Sequence, residues 1–383
     1  MPDPVPREDT SFSTVAEKLI HRIRDEGALT VADYMDEVVS HYYAARKPFG
    51  VEGDFTTSPE ISQMFGEMIG AWLTDLWLQS GKPEAVQLIE LGPGRGTLAA
   101  DIMRTVSSWP EFSSAISLHL VETSPALRQK QAETLRHYRP TWYDRLEDVP
   151  QGMSFIVANE FFDALPIHQF EKSGGSWYER RIGYHENKKV FELTLCPLED
   201  DMTRLMPAEF LDAADGAVFE ISPASLSVME TIGQRVAAAG GGALLIDYGH
   251  VQAGLGDTLQ AMSRHKYANV LENPGEADLT AHVDFGTLAM AASPLSRVHG
   301  PVTQGEFLSR LGIVQRAEQL RAVADDMQRK DIELALYRLV APSEMGELFK
   351  VLALTSFDSA AHVAGFAEME ETERAEISDD GTR

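Results

Sequence analysis

The chain has a single cysteine, Cys196, among 383 residues. One thiol excludes an intramolecular disulfide and any metal site built from several cysteines, and no metal is expected. Long apolar runs are missing as well. No stretch approaches the roughly 20 residues that a membrane-crossing helix needs. Basic residues are scarce, 33 lysines and arginines against 59 acidic residues, for a net charge of -26. A surface of that sign repels nucleic-acid phosphates and anionic lipid and favours a basic partner. Met1-Pro2-Asp3-Pro4 has neither the basic and apolar pattern of a secretory signal nor an arginine-rich transit sequence. The expected compartment is therefore a bacterial cytoplasm, or the mitochondrial matrix if a transit peptide has been removed. The apolar content of 44% is ordinary for a globular protein, and no internal repeat stands out.

What is present is a glycine-rich turn at the end of an apolar run. Val86-Gln87-Leu88-Ile89 leads into Glu90-Leu91-Gly92-Pro93-Gly94-Arg95-Gly96-Thr97. A buried strand that empties into alternating glycines and resumes as a helix brings backbone close to a nucleotide-like ligand. The spacing is G-x-G-x-G, with Thr97 where a dinucleotide fingerprint would place its third glycine. Pro93 removes a backbone N–H that a pyrophosphate would use. A Walker loop is excluded because no Gly-Lys-Ser/Thr closes the turn. An acid before such a turn, here Glu90, is instead the pattern of enzymes that use S-adenosylmethionine (SAM), which carries no phosphate. A second apolar strand, Ser117–Glu122, ends in a carboxylate placed to accept ribose hydroxyls. Glu122 suits NAD and SAM equally. Ser124 and Pro125 read as the cap and first residue of the next helix.

Periodicity supplies the frame. Amphipathic helices are expected around Val15 to Arg24 and Val31 to Tyr43. A longer helix follows, with Ser58 as N-cap, Pro59 as first residue and Gly81 and Pro83 at its end. Strands are expected at Val86–Leu91, Ser117–Glu122, Thr141–Tyr143, Phe155–Asn159 and Ala243–Ile246. Between the last two, Ile167–Glu171, Trp177–Ile182 and Val190–Leu195 read as an antiparallel meander. Val218–Ser222 follows, and a helix begins near Ala224. A strand at Asp257–Met262, helices at Phe285–Ala291, Gly305–Leu311 and Ala317–Val340, and a strand at Lys350–Leu354 would complete the main sheet. The expected organisation is an N-terminal helical segment over 1–83 and a catalytic domain over 84–366, with insertions near 167–216 and 280–345. A charged tail over 367–383 without a core face is expected to be mobile.

Ligands in open α/β sheets sit outside the carboxyl ends of the strands. There the chain places Asn159-Glu160-Phe161-Phe162-Asp163, then Asp247-Tyr248-Gly249-His250. Asp278-Leu279-Thr280-Ala281-His282-Val283-Asp284-Phe285 follows later. The glycine-punctuated segment Arg46 to Glu60 has the composition of a loop that closes over ligands or of a plain connector between helices.

Together these motifs resemble the mitochondrial dysfunction protein A family, SAM-dependent methyltransferases related to the mitochondrial complex I assembly factor that methylates an arginine. The resemblance rests on Gly53-Asp54-Phe55-Thr56-Thr57-Ser58-Pro59-Glu60, on Glu90 to Leu98, on Val121-Glu122-Thr123-Ser124-Pro125 and on the three strand-end segments above. It implies α/β architecture with a class I, Rossmann-like, seven-stranded sheet, SAM as cofactor and a protein substrate with a target arginine, with subunits of respiratory complex I as candidates. Asp54, Ser58, Glu90, Gly92, Gly94, Gly96, Thr97, Glu122 and Asn159 would then hold the cofactor. A protonated guanidinium has delocalised lone pairs, so carboxylates gripping one edge can concentrate electron density on the reacting nitrogen. Glu160 is the first choice for that grip, with Asp163, Asp247 or Asp284 as the second. His250 or His282 is the candidate acceptor of the released proton. Two rival readings remain at this point, an NAD-dependent oxidoreductase and a non-catalytic assembly factor that binds a basic client.

Overall fold

The computed structural model describes residues 14–45, 57–198, 206–263, 266–359 and 362–366. The expected tail and the part of the glycine-punctuated loop that carries Asp54 lie outside the described residues.

The main sheet has seven strands in a row: β1 (Val86–Leu91), β2 (Ile116–Val121), β3 (Thr141–Tyr143), β4 (Ser154–Asn159), β5 (Gly241–His250), β6 (Arg297–Thr303) and β7 (Phe349–Thr355). Their spatial order is β3-β2-β1-β4-β5-β7-β6. All neighbours are parallel except those of β7, which runs antiparallel to both β5 and β6. A short strand, Val283–Asp284, extends the sheet beside the end of β5.

Side-chain alternation explains why this sheet is covered on both faces. Leu88, Leu118, Leu120, Phe155, Val157, Leu244 and Ile246 point into one core, under the helix Gln63–Gln79 and the helix Thr97–Val106. Their neighbours Ile89, Leu91, Val121, Ile156, Ala158, Ala243 and Leu245 point into the other, under Pro223–Ala239 and Phe285–Ala292. Register then aligns the strand ends: Leu91 lies beside Val121 and Ala158, and Asn159 beside Ile246. The strand order reverses between β1 and β4, so a crevice opens where Glu90, Asn159 and the residues after them emerge.

The meander forms a second, antiparallel sheet from Leu29–Thr30, His168–Ser173, Ser176–His185, Val190–Pro197 and Val218–Ile221. The N-terminal helices Val15–Glu26 and Val31–Ala45 pack on this insertion, through Leu19, Tyr34, Met35, Ile167, Ile182 and Leu279.

Several expectations need correction. The long helix is interrupted: Ser58–Ile61 is a single turn capped by Thr57, and extended Ser62 breaks it and caps Gln63–Gln79 through Met64 N–H. The strand expected at Asp257–Met262 does not join the main sheet. It runs over Gln260–Ser263 and pairs with Lys266–Ala268 and Asp278–Thr280 in a third, small sheet. The helix expected at Ala317–Val340 is two helices, Ile313–Val323 and Asp326–Val340, because Asp325 and Gln328 build a capping box between them. The edge strand β6 was not anticipated, since Gly300-Pro301 divides it. An outer edge tolerates a residue without a donor, and the register shifts there between His299 and Val302.

Candidate active site

Gly92, Gly94 and Gly96 all take left-handed φ, +60°, +53° and +79°. A Cβ on Gly92 would also lie 2.9 Å from the Phe161 ring, so this position demands glycine twice over. Gly96 caps the helix Thr97–Val106. The turn is held from two sides. Gln131 Nε2 donates to Gly94 O (2.8 Å) and to Glu122 Oε2 (3.1 Å), while Trp142 Nε1 donates to Gln131 Oε1 (2.8 Å). From the N-terminal segment, Glu60 accepts the Thr97 hydroxyl (2.7 Å) and pairs with Arg95 (3.3 Å).

Beyond the turn Glu90, Glu160, Asp163 and Asp278 converge on a space that Glu60 also lines. Glu90 is buried and, among the described residues, its Oε2 has no hydrogen-bond partner. Burial pushes it up to about 8, against one backbone N–H from Ala99. Glu160 directly follows β4 at φ +50°, a strained setting for a side-chain-bearing residue. Its Oε1 accepts Ser58 N–H (3.0 Å) and Asn159 Nδ2 (3.0 Å). Burial raises it to about 7, with Asp163 adding to the rise. Asp163 accepts the Tyr248 hydroxyl at 2.7 Å, yet its Oδ1 is buried and has no partner among the described residues. Burial lifts it to about 6, the tyrosine hydrogen bond opposing. Asp278 accepts the Tyr43 hydroxyl at 3.0 Å.

Glu90, Asn159, Glu160 and Asp163 line one small cavity of about 60 Å³, joined there by Tyr43, Tyr248, Asp278 and Thr280. A larger cavity of about 740 Å³ shares Gly92, Gly94, Tyr43 and Glu160 with it and runs past Glu122 to Asp144. Glu122 is buried and raised by burial, opposed by the Ser124 N–H and by Gln131.

Of the other expected site residues, Thr97 lines the small cavity, and Asp247, Ser58, Asp284, His250 and His282 do not. Asp247 is buried with Oδ2 taken by the N–H groups of Phe161, Phe162 and Asp163 and Oδ1 by its own neighbour Tyr248 N–H. It shapes the turn that carries Glu160 and Asp163 and is not a second grip. Ser58 is fully buried, its hydroxyl near Met345 Sδ, and only its backbone N–H reaches Glu160. Thr97 spends its hydroxyl on Glu60. Asp284 caps Phe285–Ala292 through Thr287 N–H (3.0 Å) and Thr287 Oγ1 (2.6 Å). His250, His282 and Asp284 line a separate cavity of about 380 Å³. Tyr248 stands between that cavity and the carboxylates, its ring edge-on to His282 at 5.5 Å. Replacing Asp284 with alanine should therefore cost about 1 kcal/mol of stability in chemical denaturation, the usual loss for a helix cap. Lost activity at unchanged stability would return Asp284 to the site.

Sequence reasoning passed over Tyr43, Gln131, Trp142 and Asp278. Gln131 and Trp142 look like ordinary helix and strand residues. Asp278 opens the quoted Asp278-Leu279-Thr280 strand, but nothing local tells which side chain of a strand faces a cavity.

An unpartnered buried carboxylate, further acids and a glycine turn short of one N–H suit a ligand that brings cationic N–H donors and no phosphate. Comparison with known proteins agrees. Residues 68–302 match the model of a family described as "Putative S-adenosyl-L-methionine-dependent methyltransferase". The chain is 36% identical to the mitochondrial protein arginine methyltransferase NDUFAF7 of Xenopus laevis, over 91% of its own length and 86% of that protein's. It is 38% identical to the Mus musculus protein of the same name, over the same shares, 91% and 86%. A Burkholderia thailandensis protein crystallised with S-adenosyl-homocysteine superimposes with a TM-score of 0.78 at 26% identity, covering 94% of this chain and 98% of that one. The chain thus belongs to this family of SAM-dependent methyltransferases, and SAM is its cofactor.

Proposed function

We propose that the enzyme methylates a guanidinium nitrogen of an arginine in a protein substrate. The observation that carries this reading is that Glu160 and Asp163 line one small cavity directly beside the glycine turn. The relatives named as arginine methyltransferases support the same substrate class. When bound, SAM supplies an electrophilic methyl on a sulfonium. In this reading Glu90 Oε2 would hold the cofactor's ammonium and Glu122 its ribose hydroxyls, with Gly92, Gly94, Gly96 and Asn159 as further contacts. Asp54 keeps its place as a candidate contact. Residues 57–60 act as part of a segment, 1–83, that covers the cofactor, and 84–366 as the catalytic unit with its insertions.

Glu160 and Asp163 would accept N–H donors from one edge of the guanidinium and hold it with another nitrogen free to react. The proton lost on methylation passes to Glu160, whose raised pKa matches a base working near neutrality. Incubating the full chain with methyl-labelled SAM and arginine-containing or lysine-containing peptides tests the reading. Label on arginine, located by mass spectrometry, supports it; label only on lysine or on no peptide overturns it. Complex I subunits are the first protein substrates to try, on the strength of the family resemblance.

The raised carboxylates give opposite pH slopes for activity and stability. Glu160 and Asp163 grip a cation only when ionised, so kcat/KM for the acceptor should climb through about pH 6 to 7 and level off above. Unfolding restores ordinary carboxyl pKa values, so the folded state holds more protons in this window and loses stability as pH rises. Melting of the ligand-free protein between pH 5.5 and 8 should show Tm falling while initial rates rise. Parallel slopes would contradict the ionisation order.

A further inference from the structure

The small cavity has a second wall, and it comes from outside the nucleotide-binding sheet. Asp278 and Thr280 belong to the inserted strand Asp278–Thr280, which pairs with Gln260–Ser263. That strand is tied to the Asp163 turn, because Ala281 N–H donates to Asp163 O at 2.9 Å. Tyr43 comes from the last part of the helix Val31–Ala45, and Ser124 Oγ holds its carbonyl at 3.0 Å, fixing that helix to the end of β2. The Tyr43 hydroxyl reaches Asp278, and the charges of both Asp278 and Asp163 bear on it. On the other side Tyr248 reaches Asp163. Two tyrosine–aspartate pairs therefore line one space, alongside Glu160 and the buried Asp163 Oδ1, which has no partner among the described residues.

Taking this cavity as the acceptor site, we propose that Tyr43 and Asp278 complete it and make it select a planar guanidinium over an ammonium. A guanidinium spreads five N–H donors over two edges and can meet carboxylates on separate walls at once. An ammonium is a compact point charge, and one cluster of acceptors satisfies it. Glu160 and Asp163 alone would attract either cation. Asp278, presented by another element and held in direction by Tyr43, adds the acceptor that only an extended cation can reach while still touching the first pair. Each tyrosine fixes one carboxylate oxygen and thereby aims the rest of the group. Asp278 and Tyr43 act on selectivity, whereas Glu160 and Asp163 act on the reacting nitrogen.

The test uses the full chain saturated with S-adenosyl-homocysteine and titrated with methylguanidinium or methylammonium, followed by NMR. The wild type should prefer methylguanidinium by about tenfold or more, the order expected when charge-assisted hydrogen bonds to a second carboxylate are gained. Asp278→Asn keeps the shape and an acceptor for Tyr43, and should shrink the preference to about threefold or less with S-adenosyl-homocysteine affinity and Tm unchanged. Tyr43→Phe should fall between, and it carries the test if the Asp278 variant does not fold. A wild type without preference, or variants that keep the full preference, overturns the proposal. Labelled transfer to arginine peptides, run alongside, separates the two ideas. Arginine methylation with an unaltered variant preference removes only the selectivity role. A guanidinium preference lost in the variants, without any arginine methylation by the wild type, removes only the reading of the reaction.

Discussion

Glu160→Gln is expected to lower kcat with an arginine peptide by about 10²- to 10³-fold, within the range for removing one electrostatic contact or proton acceptor from a catalytic site. SAM affinity should stay within about threefold, because the change leaves the glycine turn and Glu122 untouched. The substitution is close to isosteric, and its carbonyl can still accept the Ser58 N–H that meets Glu160 at 3.0 Å. What disappears is the negative charge and the capacity to take a proton. Folding should not suffer. A carboxyl raised to about 7 by burial weakens the folded state above neutrality, so the amide should leave Tm at pH 8 equal or higher. Single-turnover transfer with labelled SAM, calorimetry with S-adenosyl-homocysteine and a melt at pH 8 separate these effects. A wild-type rate in the variant would remove Glu160 from the chemistry. A rate loss matched by lost cofactor affinity would make it a structural support instead.

How much of this was legible in the sequence follows a physical boundary. The parallel strands read correctly because both their faces are buried, so they appear as short apolar runs such as Phe155–Ala158 with turn residues on each side. The positions of the glycine turn and Glu122 were legible because local order places them at a strand's end. The strand-end position of Glu160 and Asp163 was legible for the same reason. Asp247, Asp284 and the two histidines were not, because strand-end proximity says nothing about which way a side chain turns or what occupies it first. Asp247 emerges beside Glu160 but is consumed by four backbone N–H groups. Asp284 sits at a helix start, and Asp284 with Thr287 could have been read as a cap. Asp278 and Tyr43 are separated by 235 residues and meet only through packing of the N-terminal helix on the inserted strands. The break at Ser62 and the capping box at Asp325 were visible as residue types, yet an unbroken apolar periodicity outweighed them.

Gly92→Val should cost the enzyme at least about 100-fold in SAM affinity. Three effects act together at this one position. Its φ of +60° is open to glycine and strained for any other residue, most of all for a β-branched one. The new Cβ would begin 2.9 Å from Phe161 Cδ2, a contact that real side chains do not make. Relief must come either from Phe161, which lies between Glu160 and Phe162 and donates its N–H to Asp247 at 3.1 Å, or from the turn itself. Neither can move without altering the cavity, since Gly92 lines both the large and the small space. The Gly92 N–H donates to Val121 O at 3.1 Å, so displacing the turn also disturbs the approach to Glu122. A strain of this kind costs on the order of 1–3 kcal/mol before the clash is counted, and about 2.7 kcal/mol already corresponds to 100-fold in affinity. Strands β1 and β4 keep their own ladders and cores, so the protein should remain folded with a modest fall in Tm. Gly92→Ala separates the causes, because it brings the strain and the first clashing atom without the branches, and should weaken binding less than valine does. Calorimetric titration with S-adenosyl-homocysteine across wild type, alanine and valine should give affinities that fall in that order. Undiminished affinity in the valine variant would mean that the turn does not meet the cofactor at Gly92, and the site would have to be rebuilt around Glu122 alone.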